Sequence, residues 1–332
     1  MPDRLHIAVL MGGWSAEREV SLTSGAGVAD ALEALGHRVT RIDMDREIAS
    51  RLAEAKPDVV FNALHGTPGE DGTVQGMMDL MGLTYTHSGL TASVIAIDKE
   101  LTKRQLVPRG IRMPGGRIVE SESLYLADPM ARPYVLKPVN EGSSVGVAIV
   151  TREGNYGDPI ARGAAGPWQE FEHLLAEPFI RGRELTVAVL GDEALAVTEL
   201  QPKSGFYDYE AKYTDGLTTH VCPADIPDGV RDEALAMALK AHRLLGCRGC
   251  SRADFRWDDE KGVEGLYLLE INTQPGMTPL SLVPEQCRYR GMSYGELVQR
   301  IVDEALEHRA EKRGPVFGKD NSTAKARQGG KA

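Results

Sequence analysis

The chain has 332 residues, 42% of them hydrophobic and 26% charged, the make-up of a soluble globular protein long enough for two or three cores. A net charge of −10 and a pI near 5.4 argue against a nucleic-acid binder that neutralises phosphates, though not against a local basic pocket for a small anion. No apolar run approaches the roughly 20 residues of a membrane span, and "MPDRLHIAVLMGG" has no signal-peptide layout, so a cytoplasmic protein with no membrane or nucleic-acid partner is expected.

The first hundred residues alternate strand and helix. "HIAVLMGG" is a short apolar run ending in Gly12-Gly13, and Ser15 is placed to cap the helix that follows. That helix carries Val28, Ala31, Leu32 and Leu35 at helical spacing and stops at Gly36. "RVTRIDM" and "DVVFNAL" read as further strands with a helix between them. The pattern is βαβαβ, which implies a parallel sheet covered by helices on both faces. Ligands of such sheets sit at the carboxyl ends of the strands, which here are left by the loops 11–21 and 65–72. No G-x-G-x-x-G lies between a strand and a helix, so a dinucleotide site has little support.

From Asp98 the texture changes. "DKELTKRQLVPRG" reads as a basic helix, followed by strands "PYVLKPV" and "VGVAIV" joined by the loop "NEGSSVG". Residues 151–167 read as a flexible turn region, and "HLLAEPFI", "RELTVAVLG" and "ALAVTELQP" as three more strands. A helix over about 229–245 precedes a strand pair, 251–257 and 265–272. Two helices follow, near 282–290 and 294–309, and then a polar tail rich in Gly and Lys that reads as disordered. Of Cys222, Cys247, Cys250 and Cys287, only "CRGC" has zinc-like spacing. It has no second Cys or His pair, so reduced, packed thiols are expected.

The strand pair carries the chemistry. Strict alternation puts Tyr267, Leu269 and Ile271 on one face and Leu268, Glu270 and Asn272 on the other. A hairpin turning at "DDEKG" sets Asp254 opposite Glu270 and Arg252 opposite Asn272. Two carboxylates across a ladder repel each other, and a cation between them removes the objection. Asp254, Glu270 and Asn272 offer only oxygen, which selects a hard cation, with Mg²⁺ leading for phosphate chemistry. Lys99 and Lys137, on separate elements, and the small-residue loop after Lys137 supply phosphate-directed groups without a Walker A motif. Together these features suggest a nucleotide clamp.

The stretches "GGWSAEREVSL", "LHGTPGEDGTVQG", "EGSSVG", "FYDYEAKY" and "LLEINTQPGMT" resemble D-alanine–D-alanine ligases of the ATP-grasp superfamily, from about Ile7 to Glu307. The resemblance implies a mixed α/β and α+β protein. An N-terminal parallel-sheet domain (1–98) would be followed by a two-domain ATP-grasp fold (99–180 and 181–310), with a disordered tail at 311–332. The implied reaction phosphorylates the carboxylate of one D-alanine with ATP, after which the amine of a second attacks, giving ADP, phosphate and the dipeptide used in peptidoglycan. ATP and two Mg²⁺ ions, replaceable by Mn²⁺, are the implied cofactors, and a homodimer the implied assembly.

By the same resemblance Glu17 meets the ammonium of the first D-alanine, with Ser143 and Tyr213 as its partners in a link that closes the site. His65 lies near that substrate. Lys99, Lys137 and Lys212 face phosphates, while Glu177, Phe179 and Ile180 border adenine, Glu184 the ribose and Phe206 the purine as a lid. Arg252 and the N–H of Gly276 face the oxyanion, and Ser281 and Leu282 the second D-alanine. Residues 203–219, with their glycines and aromatics, are expected to order with ligand. Gln274 departs from some relatives, as does the run "TPLSL", both beside the second-substrate pocket. A ligase making D-alanyl-D-lactate or D-alanyl-D-serine remains an alternative, as do another ATP-grasp carboxylate–amine ligase and a silent nucleotide binder. Tyr213 speaks against the depsipeptide product, "GGWSAEREVS" against a different acid and Arg252 against a silent binder.

Overall fold

The computed structural model describes residues 4–142, 146–151, 160, 165–203, 218–279 and 281–313, the last three as helix backbone only. Ser143, Phe206, Lys212 and Tyr213 lie outside the described residues, as do most of 151–167, most of the 203–219 loop and the tail from 314.

In the N-terminal part, β1 (His6–Gly12) is central in a parallel sheet of order β2-β1-β3, with β2 at Arg38–Met44 and β3 at Val59–Asn62. Every residue of β1 is buried, as a strand covered on both faces requires. Its alternation divides two cores. Ile7, Val9 and Met11 join Phe61 and the helix residues Val28, Ala29 and Leu32, while Ala8 and Leu10 join Val60 and Leu52. Helix α1 (Arg18–Ala34) ends as expected at Leu35, before Gly36 with φ +92°. Its start differs from expectation. Glu17 occupies the N-cap position without a side-chain cap, and the Ser15 hydroxyl instead donates to His65 O and accepts from Glu17 N. Ser15 thus ties the first loop to the second. Helices α2 (Ile48–Ala55), α3 (Thr73–Leu80) and α4 (Leu90–Ile97) complete this part, and α5 (Lys99–Leu106) opens with Asp98 capping Leu101 N.

A four-stranded antiparallel sheet of order β4-β7-β5-β6 follows: β4 Arg117–Glu120, β5 Tyr134–Pro138, β6 Ala148–Val150 and β7 His173–Pro178. Tyr134 and Leu136 point into a core with Leu174, Ala176 and Trp168. Alternation therefore turns Val135 and Lys137 to the opposite face, toward a cleft. The sequence reading missed β4, which is short and mostly exposed.

The third sheet has the order β10-β9-β8-β11-β12, all antiparallel: β8 Arg183–Leu190, β9 Glu193–Pro202, β10 Thr218–Val221, β11 Cys250–Trp257 and β12 Leu266–Asn272. Helix α6 (Asp228–Leu245) covers one face with Val230, Ala234, Met237, Ala241 and Leu245, a core that also takes in Ala96 and Leu106. On the other side lie α7 (Leu282–Tyr289) and α8 (Tyr294–Arg313). A register shift leaves Ala188 without a partner on β9, and the buried Gln286 amide of α7 accepts from Ala188 N and donates to Thr186 O and Thr198 Oγ1. That anchor ties α7 to β8 and β9. None of the helices described is long and apolar enough to cross a membrane.

Candidate active site

The hairpin has the expected register at its business end. Asp254 faces Glu270 and Arg252 faces Asn272. Below them, a β-bulge at Leu269 breaks the strict alternation. Leu266, Leu268 and Ile271 enter the core, whereas Leu269 lines the cleft beside Glu270. The extra residue switches faces, so Leu268 does not share the face of Glu270 and Asn272 as simple alternation expects. The connection is a 3-10 stretch, Asp259–Gly265. Arg252 holds Asp254 through two bonds, Nε to Oδ1 at 2.8 Å and Nη2 to Oδ2 at 2.7 Å, and Thr186 Oγ1 donates to Oδ1 at 2.7 Å. Glu270 Oε2 lies 3.9 Å from Lys99 Nζ, which donates to Glu141 O at 2.5 Å. Asn272 Oδ1 accepts from Gln274 N at 2.7 Å.

One cleft, partly open to solvent, gathers Lys99, Lys137, Glu177, Phe179, Ile180, Glu184, Asp254 and Glu270. Its walls are the central sheet and the β8-β11-β12 face of the third. Glu177 sits across from Val135, so Lys137 is its diagonal neighbour and pairs with it at 2.5 Å. The second oxygen of Glu177 is held by Lys103, which the sequence reading did not single out. Burial opposes ionisation of Glu177, but the charges of Lys137 and Lys103 prevail and hold its carboxyl below the usual range. Arg256, likewise missed, faces Glu184 across the ladder, bonds it at 3.3 Å, donates to Ile180 O and lies over the Phe179 ring. It braces three residues of the expected adenine and ribose edge.

The second polar centre is at the mouth of the parallel sheet. Glu17, His65 and Glu70 are all buried there. His65 Nδ1 lies 3.5 Å from Glu70 Oε1, and Nε2 is 3.1 Å from Ser24 Oγ. Burial, helped by the charge of Glu17, raises the pKa of Glu70 against the pull of His65. Ser24 Oγ also accepts from Met277 N at 3.3 Å, which joins this centre to the chain beyond the hairpin. Gln274 makes a reciprocal amide pair with Asn62 at the end of β3, accepting from Nδ2 at 3.1 Å and donating to Asn62 O at 2.5 Å. The departure noted in the sequence is therefore a buried clasp between two sheets. A Cβ on Gly276 would come within 2.7 Å of Ser281 Oγ, so a larger residue there would displace that hydroxyl. Ser281 stands at the N-cap of α7, but its hydroxyl meets Thr278, with N at 3.0 Å and Oγ1 at 2.8 Å, and does not cap the helix. Leu282 begins that helix, buried against Leu200.

The family model described as D-ala D-ala ligase C-terminus matches residues 121–303, and the one described as D-ala D-ala ligase N-terminus matches 47–88. The D-alanine–D-alanine ligase of Rhizorhabdus wittichii is 78% identical over 93% of this chain and 99% of its own length. The chain belongs to the D-alanine–D-alanine ligase family. A crystal structure of the D-alanine–D-alanine ligase from Bacillus anthracis superposes with a TM-score of 0.76 at 28% identity, covering 92% of this chain and 99% of that one. A second, of the same enzyme complexed with ATP, gives 0.75 at 24% identity over 93% and 99% and shows the shared fold.

Set within this ligase family, the residues expected from sequence fall into two groups. The cleft unites Lys99, Lys137, Glu177, Phe179, Ile180, Glu184, Asp254 and Glu270, with Arg252 and Asn272 paired at the hairpin end. The mouth unites Glu17 and His65 and is linked through Ser24 to the Gly276–Ser281 turn. Glu70 and Lys103 stood inside stretches read for other reasons. The four cysteines form no disulfide, and burial pushes the Cys247 and Cys287 thiols up to about 12, as for packed, unreactive thiols.

Proposed function

We propose that the chain joins two D-alanines at the expense of ATP, through a D-alanyl phosphate, and so makes the dipeptide used in peptidoglycan. The observation that carries this reading is the gathering, in one cleft, of two buried lysines, an adenine-edge segment and the Asp254–Glu270 pair, beside a separate acidic mouth. Relatives bearing the D-alanine–D-alanine ligase name match almost the whole chain, and one neighbour of the same fold was crystallised with ATP.

In this reading Glu17 receives the ammonium of the first D-alanine, near His65, and turns its carboxylate toward the cleft. Lys99 and Lys137 take the phosphates, with Lys212 as a third cation, and neutralise charge during transfer. Glu177, Phe179, Ile180 and Glu184 hold the nucleoside under Phe206. Ser281 and Leu282 seat the second D-alanine so that its amine faces the acyl phosphate. Arg252 and the N–H of Gly276 stabilise the oxyanion, and Ser143 and Tyr213 close the site over Glu17.

Among the described residues no group of three or more His, Cys, Asp or Glu is arranged to hold a metal. The set here is two carboxylates and an amide, all oxygen donors. Asn272 Oδ1 accepts one N–H and, like any carbonyl oxygen, has a second lone pair. This chemistry fits Mg²⁺ or Mn²⁺, which Asp254, Glu270 and Asn272 would hold and which would add positive charge beside the phosphates. A homodimer belongs to the same reading.

The test is phosphate release with ATP across D-alanine, D-lactate, D-serine and L-alanine. Release with D-alanine alone, with D-alanyl-D-alanine as product, is the expected result. Release only when D-lactate or D-serine is added would replace the dipeptide by a depsipeptide or a mixed product, and silence across the panel would remove the ligase reading.

A further inference from the structure

Glu177 is only 3% exposed, yet it is shared by two lysines from different elements, Lys137 on β5 and Lys103 on α5. The two are not equivalent. Lys137 lines the cleft, and Lys103, on α5, is not among the residues that line it. The approach is tight. A Cβ at Gly116 would fall 2.7 Å from the backbone O of Ala176, 2.9 Å from Glu177 Cγ and 3.0 Å from Lys103 Nζ, so a side chain there would crowd both β7 and this ion pair.

If Lys137 serves a nucleotide phosphate, it must leave the carboxylate it now holds at 2.5 Å. A buried carboxylate deprived of its only cation is strongly destabilised. Lys103 removes that penalty. Resting on the ATP reading above, we propose that Lys103 is a positioning residue that keeps the charge of Glu177 compensated, so that Lys137 is free to move to a bound triphosphate. The site thereby carries one cation to hold the adenine-edge carboxylate and another to spend on phosphate. Burial lowers the pKa of Lys103, and the charge of Glu177 opposes that fall. Besides Glu177, the charged groups acting on Lys103 are Lys137 on β5, which lowers its pKa, and Glu100 on its own helix, which raises it, while the groups acting on Glu177 are Lys137 and Lys103.

The proposal makes a statement about protons. In Lys103→Met, departure of Lys137 leaves Glu177 alone, and the buried carboxyl must take up a proton for nucleotide to bind. Affinity of the variant for the Mg²⁺ complex of the non-hydrolysable analogue AMP-PNP should then fall by about tenfold per pH unit relative to wild type between pH 6.5 and 8. Calorimetry in buffers of different ionisation enthalpy should find one extra proton taken up. Lys103→Arg, which keeps the charge, should follow the wild type. Lys103→Met combined with Glu177→Gln has no carboxyl to protonate and should lose the added pH dependence, whatever its affinity. A Lys103→Met variant that matches wild type in affinity and proton uptake overturns the proposal. So does one weakened equally at every pH, since that marks a merely structural lysine. If the wild-type chain itself binds no AMP-PNP, the nucleotide reading falls together with this inference, whereas wild-type binding with a silent Lys103→Met removes the inference alone.

Discussion

The two acidic regions of this molecule are built on opposite plans. In the cleft four carboxylates face a cation of the protein: Asp254 is held by Arg252, Glu177 by Lys137 and Lys103, Glu184 by Arg256, and Glu270 stands 3.9 Å from Lys99. At the mouth of the parallel sheet Glu70 is buried against a histidine and feels the added negative charge of Glu17, and its pKa rises accordingly. A surface neutralised in advance can lend its lysines to a polyanion without leaving bare carboxylates behind. A pocket of acidic side chains favours a ligand that brings its own positive charge, such as an amino acid's ammonium. The difference supports the proposed reading, with the nucleotide in one region and the first amino acid in the other.

The strongest way to break this comparison is at Arg252. Arg252→Ala removes both the proposed oxyanion donor and the bidentate partner of Asp254, and kcat should drop by about 10²–10³-fold with little change in the KM for ATP. Phosphate release at varied ATP measures both, and equal losses in kcat and ATP affinity would reduce Arg252 to a nucleotide contact. Next come the two amino-acid sites. Loss of one charge-assisted bond in Glu17→Gln should raise the KM of the first D-alanine by on the order of ten- to a hundred-fold. Ser281→Ala should act on the second D-alanine and at the lower end of that range, because the hydroxyl already serves Thr278. If Ser281→Ala alters only the tighter site, the assignment of the two pockets is inverted.

The smallest effect sharpens the contrast itself. The folded pKa of Glu70 is raised from its ordinary 4.5, so the folded state binds the proton more tightly than the unfolded chain. Stability from this group is complete below that ordinary value and is lost as pH rises through the folded one. Glu70→Gln should therefore melt higher than wild type at pH 7.5, by roughly 2–4 °C for each kcal/mol relieved, and the gap should narrow as the pH approaches 5. A gap that widens on acidification would mean that His65 outweighs burial.

Sequence pattern carried a good deal of this architecture. The hairpin register was legible because two alternating strands about a polar turn leave few ways to pair, and Asp254 does face Glu270. The bulge at Leu269 was not, since an unpaired residue depends on the neighbouring sheet and leaves no local mark. Lys103 and Arg256 stayed hidden for a related reason. Their roles arise from contacts with Glu177 and Glu184, residues more than 70 positions away that only the fold brings near. Gln274 looked like an irregularity until Asn62 appeared opposite it. What the motifs could not express was the pairing of one element with another far along the chain.

The last of the described helices, α8, completes the core on one face of the first sheet. Leu297, Val298, Ile301 and Val302 of α8 pack in one core with Ile7, Val9, Val28 and Phe61. During synthesis, the opening strands leave the ribosome long before the surface that covers them exists. Folding of the N-terminal part is thus tied to completion of the chain, and the contacts that finish it are among the most sequence-distant in the molecule, the kind that close slowly. A nascent chain stalled before Tyr294 should expose the α1-side face of β1 and bind a hydrophobic dye, and release of the complete chain should abolish that binding.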